Sequence, residues 1–397
     1  MSQANDAISP EVITLGCRLN LAESERIRAL IAGEKDVVVV NSCAVTFEAV
    51  KQTRQAIRKA RRARPAARLL VTGCAADIER DQLSAMPEVD GLVPNTRKLD
   101  ARAWNVPEAT TPPPSKHTRA FIGVQNGCDH ACTFCVIPQG RGRSRSLTIE
   151  QVLQEVDRHL DKGAGEVVLT GVDVTSWGHD LPGTPPLGTL VAAVLTRFPQ
   201  LARLRMSSLD GVEIDPLLCE LFEGEPRLMP HLHLSLQHGA DLILKRMKRR
   251  HLRRDAVQLV RRLKARRPDL AIGADLIAGF PTETADHHAQ NRAIIEELDI
   301  VHGHVFPYSP RPGTPAARMP QLKKQLIKQR AAELRAAVAR VRDNWLDGLV
   351  GTPQSVLTEA DGSGYAENFA RVAVPAATPR GQILSVTPEA HEGGLLT

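Results

Sequence analysis

Aromatic residues are scarce in this chain: eight Phe, three Trp and two Tyr make up 3% of 397 residues. Stacking of nucleic-acid bases on a sheet of exposed rings is therefore not an evident binding mode. Long apolar runs are missing too. No stretch approaches the roughly 18 apolar residues of a membrane span. The opening MSQANDAISPEV is polar, unlike a signal sequence. These absences predict a cytoplasmic protein without a membrane partner. An acidic excess is also missing: 51 Lys and Arg stand against 45 Asp and Glu, a net charge of +6. That balance fits a polyanionic partner. Hydrophobic residues, at 42%, are enough for a packed core, and the length predicts two or three domains.

Cysteine is present, in an odd number: seven. In a reducing compartment such residues point to metal binding or catalysis rather than disulfides. Three of them, Cys128, Cys132 and Cys135, form C-x3-C-x2-C within NGCDHACTFCVIPQGRGRSR. A [4Fe–4S] cube takes one thiolate per iron, so three thiolates leave one iron open to a small molecule. Zinc is the alternative, closed by a fourth ligand, for which His130 inside the loop is available. Cys219, in LLCELF, falls on an apolar helical pattern and reads as a buried structural thiol.

The other three cysteines share a topological position. Residues 11–15, 36–40 and 68–72 read as strands, and 21–31, 47–64 and 77–86 as helices. This βαβαβα pattern predicts a flavodoxin-like parallel sheet ending near Asn95. Cys17, Cys43 and Cys74 each fall just beyond a strand end. The carboxyl ends of parallel strands converge on one crevice, so the three should meet in space. They are either three separate buried thiols or a second three-thiolate cluster site, and the repeated placement favours the cluster. The helix KQTRQAIRKARRARP is strongly basic. Its Arg58, Arg61 and Arg62 are candidates for phosphate contact, against the alternative of a solvated face. Residues 101–118 are Pro- and Thr-rich and read as a surface linker.

From residue 119 to about 310 strands and helices alternate again. Strands are expected at 121–124, 166–170, 203–207, 233–236, 272–277 and 302–306. Six βα units predict an open barrel with ligands at the carboxyl ends of its strands. The segment LKRMKRRHLRR is a second basic stretch, and 323–346 reads as a long helix. From Gly351 short alternating strands with Gly turns read as a small β-barrel.

The triplet following a strand resembles that of the radical S-adenosylmethionine (SAM) enzymes, and Phe134 before the third cysteine matches. CDHACTFCVIPQGRGRSRS, TLGCRLNLAES, VNSCAVT and VTGCAA together resemble the methylthiotransferases, the MiaB-like branch. Gln139 departs from the Tyr common there. The resemblance spans essentially the whole chain. It implies an N-terminal methylthiotransferase domain (1–100), the linker, a radical SAM domain with a partial (β/α)6 barrel (119–346) and a short TRAM-like RNA-binding domain (347–397). It implies two [4Fe–4S] clusters, one on Cys128, Cys132 and Cys135 that binds SAM, and an auxiliary one on Cys17, Cys43 and Cys74. Asn20 and Ser24 match as local hydrogen-bonding residues. For SAM it points to Phe134, to Gly171, Val172 and Asp173, to Ser235 and Gln237, and to Gly279. Tyr308 and Arg311, on the last strand and its loop, become candidates for nucleotide contact.

TGVDVTSWG, SSLDGVEID, LKRMKRRH and HVFPYSPRPGTPAARMP look most like the branch acting on N6-threonylcarbamoyladenosine at position 37 of tRNA. That branch installs a methylthio group at C2. One SAM supplies the methyl group and a second the radical that removes the C2 hydrogen. The C2–H bond is neither acidic nor polarised, so acid–base catalysis has no purchase and the cofactors carry the chemistry. The partners implied are the tRNA anticodon loop, an electron donor and a sulfur source. The threonylcarbamoyl carboxylate needs a cation, for which Arg141, Arg143 and Arg311 are candidates. The alternatives are an isopentenyladenosine enzyme, a ribosomal-protein aspartate enzyme and a non-catalytic iron–sulfur RNA-binding protein.

Overall fold

A computed structural model describes residues 9–106 and 118–397. The first sheet is parallel, with β1 (Glu11–Thr14), β2 (Val37–Ser42), β3 (Arg68–Gly73) and β4 (Gly91–Leu92) in sequential order. Between them run α1 (Arg18–Leu30), α2 (Phe47–Ala63), α3 (Cys74–Ile78) and α4 (Arg80–Ser84). Strand β2 reads VVVVNS and is buried throughout because helices cover both faces. Val37 and Val39 pack toward Ile27 and Ile31 of α1, while Val38 and Val40 pack toward Val50 and Ile57 of α2. A flavodoxin-type sheet instead places its second strand outside the first. Here β1 stands at the edge, and α1 is shared with the next sheet: Leu21 and Ala22 pack on Phe121 and Val168.

Two local expectations are corrected. The helix expected at 77–86 begins at Cys74 and breaks at Glu79, whose carboxylate turns to Arg54 and Arg311. The linker expected at 101–118 is packed at its start. Ala101–Trp104 forms a 3-10 turn, Trp104 is buried, and its indole N–H donates to the Lys98 carbonyl. The Pro-rich remainder lies outside the described residues.

The six expected barrel strands are all present: β5 (Arg119–Gly123), β8 (Glu166–Thr170), β9 (Leu204–Met206), β10 (His231–Gln237), β11 (Ala271–Ala278) and β12 (Ile300–Pro307). A short hairpin, β6 (Gln125–Asn126) with β7 (Arg145–Ser146), frames the cysteine loop and α5 (Ile137–Arg141). The six are parallel in sequential order, with β9 and β10 joined only by the bridges Leu204–Leu228 and Leu209–Leu234. Helices α6 (Ile149–Leu160), α7 (Leu187–Arg197), α8 (Pro216–Gly224), α9 (Asp241–Arg246), α10 (Arg253–Arg266) and α11 (Ala285–Glu297) connect them, and α12 (Lys324–Asp347) follows. Starts are marked by side chains that accept orphan N–H groups: Thr148 at α6, Asp215 before Pro216 at α8, and Thr284 at α11. Strand side chains alternate. Leu232, Leu234 and Leu236 face the helices in the main core, which leaves His231, His233 and Ser235 on the inner face.

The C-terminal strands are β13 (Gln354–Thr358), β14 (Ser363–Ala366), β15 (Arg371–Ala373), β16 (Ile383–Val386), β17 (His391–Glu392) and β18 (Leu395–Leu396). They form one mixed sheet in the order β16-β13-β14-β15-β18-β17. This sheet covers the barrel base, at the amino ends of the strands. Arg203 donates to the carbonyls of Ser355 and Tyr365, and Arg205 to that of Glu367 while pairing with buried Glu166 at 2.7 Å. Phe369 stacks on His231 with ring centroids 4.9 Å apart.

Candidate active site

The ends of β1, β2 and β3 are neighbours, so Cys17, Cys43 and Cys74 follow adjacent strand ends. Close approach depends on two glycines. Gly73 has φ +90°, and a Cβ there would lie 2.3 Å from the Ser42 carbonyl oxygen. Gly16 has φ +93°, and a Cβ there would meet the Cys43 side chain at 2.7 Å. Asn20 ties the loops together, donating to the carbonyls of Leu15 and Ser42, and Asn41 donates to Ser24. Burial pushes the Cys43 thiol up to about 11, and Cys74 and Cys17 add to the rise. Cys43 thus lies within the fields of the other two thiols.

Cys128, Cys132 and Cys135 sit in the loop between β6 and α5. Two backbone N–H groups point at sulfur: His130 to Cys128 and Ile137 to Cys135, each at 3.4 Å. Arg249 reaches within 3.6 Å of the Cys132 sulfur, while donating to Asp210 at 2.7 Å and to the Ser235 carbonyl at 2.8 Å. Burial pushes Cys128 and Cys135 up to about 12, and Asp173 lifts Cys128 further. Half-buried thiols met by N–H donors and a guanidinium suit a centre that brings its own positive charge. Asp173 accepts from His130 at 2.7 Å, and with Glu213 it raises the imidazole to about 10. Ligand atoms of Cys128, His130 and Asp173 lie within 4.8 Å of one another, so the pairing with Asp173 keeps His130 beside the cysteine loop.

The two triplets face each other. Cys74 opens α3, which packs on α5 where Gly140 leaves room: a Cβ there would be 3.4 Å from the Cys74 Cβ. Cys74 is close enough to Cys135 to add to the rise that burial causes there. Asn95 bridges the gap, its amide 3.8 Å from the Cys74 sulfur and bonded to the Gly140 carbonyl. Beside it lies a buried charge cluster. Glu23 accepts from Lys98 at 2.5 Å, from Arg141 at 3.0 Å and from Asn126 at 3.0 Å. One carboxylate against two cations leaves an excess positive charge next to Cys74 and Cys17, whose thiols help hold Arg141 protonated.

Several expected site residues sit at the barrel mouth. Phe134 meets Phe280 edge-on at 6.4 Å, beside Ile277. The loop Gly171-Val172-Asp173 is held by Gln125, whose carbonyl oxygen accepts from the N–H groups of Val172 and Asp173. Ser235 and Gln237 are half-buried on β10, where a register shift turns Gln237 to φ +69°. Gly279 has φ +73°, but the group closest to its missing Cβ is Ile327 of α12, at 2.7 Å. Arg143 is 92% exposed, with Asp129 at 3.6 Å.

Others are placed differently. Arg141 is buried on Glu23, Asn20 and Asn126, so its charge organises the inter-loop cluster rather than facing solvent. Tyr308 is buried against Phe280, which lifts its phenol to about 12 and removes it from any surface contact with RNA. Arg61 folds onto the carbonyls of Glu88, Pro65 and Ala67 and onto Asp90, while Arg58 and Arg62 remain exposed. Arg311 is buried on Glu79 with Phe47 under its guanidinium at 4.9 Å. Cys219 is buried in the main core, as expected. Gln125, Lys98, Glu23 and Arg249 escaped the sequence reading. No local spacing marks them, because their partners lie far along the chain.

The Radical SAM superfamily model matches residues 122–291, and that of the uncharacterised family UPF0004 matches residues 10–94. The threonylcarbamoyladenosine tRNA methylthiotransferase MtaB of Rickettsia prowazekii is 42% identical over 97% of this chain and 96% of its own length. MtaB of Aquifex aeolicus is 31% identical over 90% and 94%. The tRNA-2-methylthio-N(6)-dimethylallyladenosine synthase of Chloroflexus aurantiacus is 32% identical over 89% and 82%. In fold the chain is similar to the radical SAM methyltransferase TsrM of Kitasatospora setae, with a TM-score of 0.55 at 13% identity over 80% of each chain. The paired thiol triplets and the full-length similarity lead to one conclusion: this chain belongs to the radical SAM methylthiotransferases, in their MtaB-type branch.

Proposed function

We propose that the protein transfers a methylthio group to C2 of N6-threonylcarbamoyladenosine at position 37 of tRNA. The observation that carries this reading is the pair of cysteine triplets facing each other across α3 and α5. It is joined by full-length similarity to relatives named for that reaction. When bound, two [4Fe–4S] clusters and SAM supply the radical and the sulfur chemistry. The chain's own residues hold and orient. Cys128, Cys132 and Cys135 keep one cluster with an open position, and Cys17, Cys43 and Cys74 the other. Arg249, Arg141 and Lys98 offset the negative charge of the thiolates. The Gly171–Asp173 loop, fixed by Gln125, would hold the amino-acid part of SAM. Phe134, Ser235, Gln237 and Gly279 line the rest of that site.

The exposed residues of α2, Arg58 and Arg62 among them, contact tRNA phosphates, and Arg143 extends that positive surface to the cysteine loop. Arg311 is the candidate cation for the threonylcarbamoyl carboxylate. Glu79 pairs with one of its terminal nitrogens, but Nε and the other terminal nitrogen have no partner among the described residues, and buried N–H groups left unsatisfied are costly. An electron donor and a sulfur source complete the reaction in the cytoplasm. The proposed division is residues 1–100 for the auxiliary site, 119–346 for the SAM site and 347–397 as the TRAM-like part. Competition between purified tRNAs carrying either N6 group, with products quantified by mass spectrometry, tests the assignment. Threonylcarbamoyladenosine should be modified first. Preference for isopentenyladenosine, or methylthiolation of a ribosomal protein alone, overturns it.

A further inference from the structure

The inner face of β10, β11 and β12 carries a second group of metal-ligand residues, none of them cysteine. His233 and His304 both approach one oxygen of Asp275, with Nε2 of His233 at 3.2 Å and Nδ1 of His304 at 3.3 Å. Their donor atoms all lie within 4.8 Å of one another. The strand register builds this arrangement. Asp275 is the direct partner of His304 across the β11–β12 ladder, and Gly273 is the partner of His233 across β10–β11. Gly273 has no side chain to spare: a Cβ there would lie 2.4 Å from Nδ1 of His233. The sheet thus leaves a space into which the His233 ring fits.

Below this group, toward the barrel base, lie two more imidazoles. His231 is 1% exposed and neither ring nitrogen has a partner among the described residues. Nε2 of His302 also lacks one. The His231 centroid is 6.2 Å from that of His233 and 5.3 Å from that of His302. Buried polar atoms without partners cost free energy, and such sites usually contain ordered water or another polar guest.

We propose that the barrel lumen binds a divalent first-row cation of the zinc class on His233, Asp275 and His304, separately from both cysteine triplets. Two imidazoles and a carboxylate favour such ions over magnesium or calcium, which prefer all-oxygen shells. The two imidazole–carboxylate separations of 3.2 and 3.3 Å suit metal–ligand bonds of ~2.0–2.2 Å around one ion. Three protein ligands leave further positions for water. Such waters would supply the polar company that His231 and His302 lack.

The test uses the full-length holoenzyme with its iron–sulfur centres reconstituted anaerobically, then equilibrated with zinc and desalted. Elemental analysis should find one zinc per chain in addition to the iron. The zinc X-ray absorption edge should show nitrogen and oxygen neighbours at ~2.0–2.2 Å and no sulfur shell at ~2.3 Å. His304→Ala and Asp275→Asn should weaken zinc binding at least tenfold while iron content stays unchanged. His304 is 60% exposed, so its truncation spares the core. No retained zinc, a sulfur shell in the wild-type spectrum, or equal zinc in both variants would show the three residues to be a hydrogen-bonded array only.

Discussion

Two basic segments of this chain look alike in sequence and behave differently in space. Helix α2 keeps Lys51, Arg58, Lys59 and Arg62 exposed on one stripe, at helical spacing. Its ion pairs there are loose: Arg58 meets Glu88 at 3.8 Å and Lys51 meets Glu48 at 3.7 Å. The segment 244–254 turns most of its cations inward. Arg246 binds Thr282, Arg249 binds Asp210, Arg250 binds Glu213 and Arg253 binds Glu297. A charge run becomes a phosphate-binding surface only where the fold brings no carboxylates to it. The first segment comes nearer to that condition, the two ion pairs on its exposed stripe standing at 3.7 and 3.8 Å, and the second serves the barrel mouth.

The comparison breaks most visibly at Arg249. Its replacement by Ala leaves Asp210 buried without its closest cation and should cost about 3–5 kcal/mol in denaturant unfolding. Iron at the Cys132 triplet should fall with it, and Arg249→Lys should restore part of both. A destabilisation near zero would mean that the segment is as free as α2. Reversal of Arg58, Lys59 and Arg62 to Glu should act oppositely. Unfolding should stay unchanged, while the slope of log affinity for tRNA against log salt becomes shallower by about 2–3 for three lost phosphate contacts. An unchanged slope would reduce α2 to a solvated face.

Arg61 sharpens the contrast within one helix. Arg61→Ala should lower stability by about 1–3 kcal/mol through its lost carbonyl and Asp90 contacts, with no change in the tRNA salt slope. The smallest effect is expected for Lys245→Glu with Lys248→Glu, two exposed residues of the inward segment. Stability should move by less than about 0.5 kcal/mol, and the salt slope should not change by a full contact. A drop as large as that of the α2 reversal would join the two segments into one RNA surface.

What the sequence made legible was what it encodes locally. The six barrel strands and the strand-end cysteines follow from apolar runs and turn residues, and their places agree to within a few residues. The break at Glu79 was not legible, because Arg311, which turns that carboxylate, lies far along the chain. Arg141 was misjudged for the same reason, since Glu23 binds it from the other sheet. Tyr308 looked available because nothing in HVFPYSP announces that Phe280 will cover it. Partner identity across a packed interface is a property of the fold, and spacing in the chain does not carry it.

The covered barrel base has a consequence for how the molecule is made. Synthesis runs from the amino end, and domains tend to fold as they emerge. All six barrel strands leave the ribosome before Phe369 does. Until then Arg119, Arg203, Arg205 and His231 sit at an unfinished end of the barrel, beside the buried carboxylate of Glu166. The strands that follow the barrel close it, by stacking Phe369 on His231 and by giving carbonyls to Arg203 and Arg205. A nascent chain cut short of that point carries every cysteine and still exposes a cationic, half-apolar floor. The same contacts that finish the C-terminal sheet therefore finish the barrel floor, so the two parts are coupled in stability.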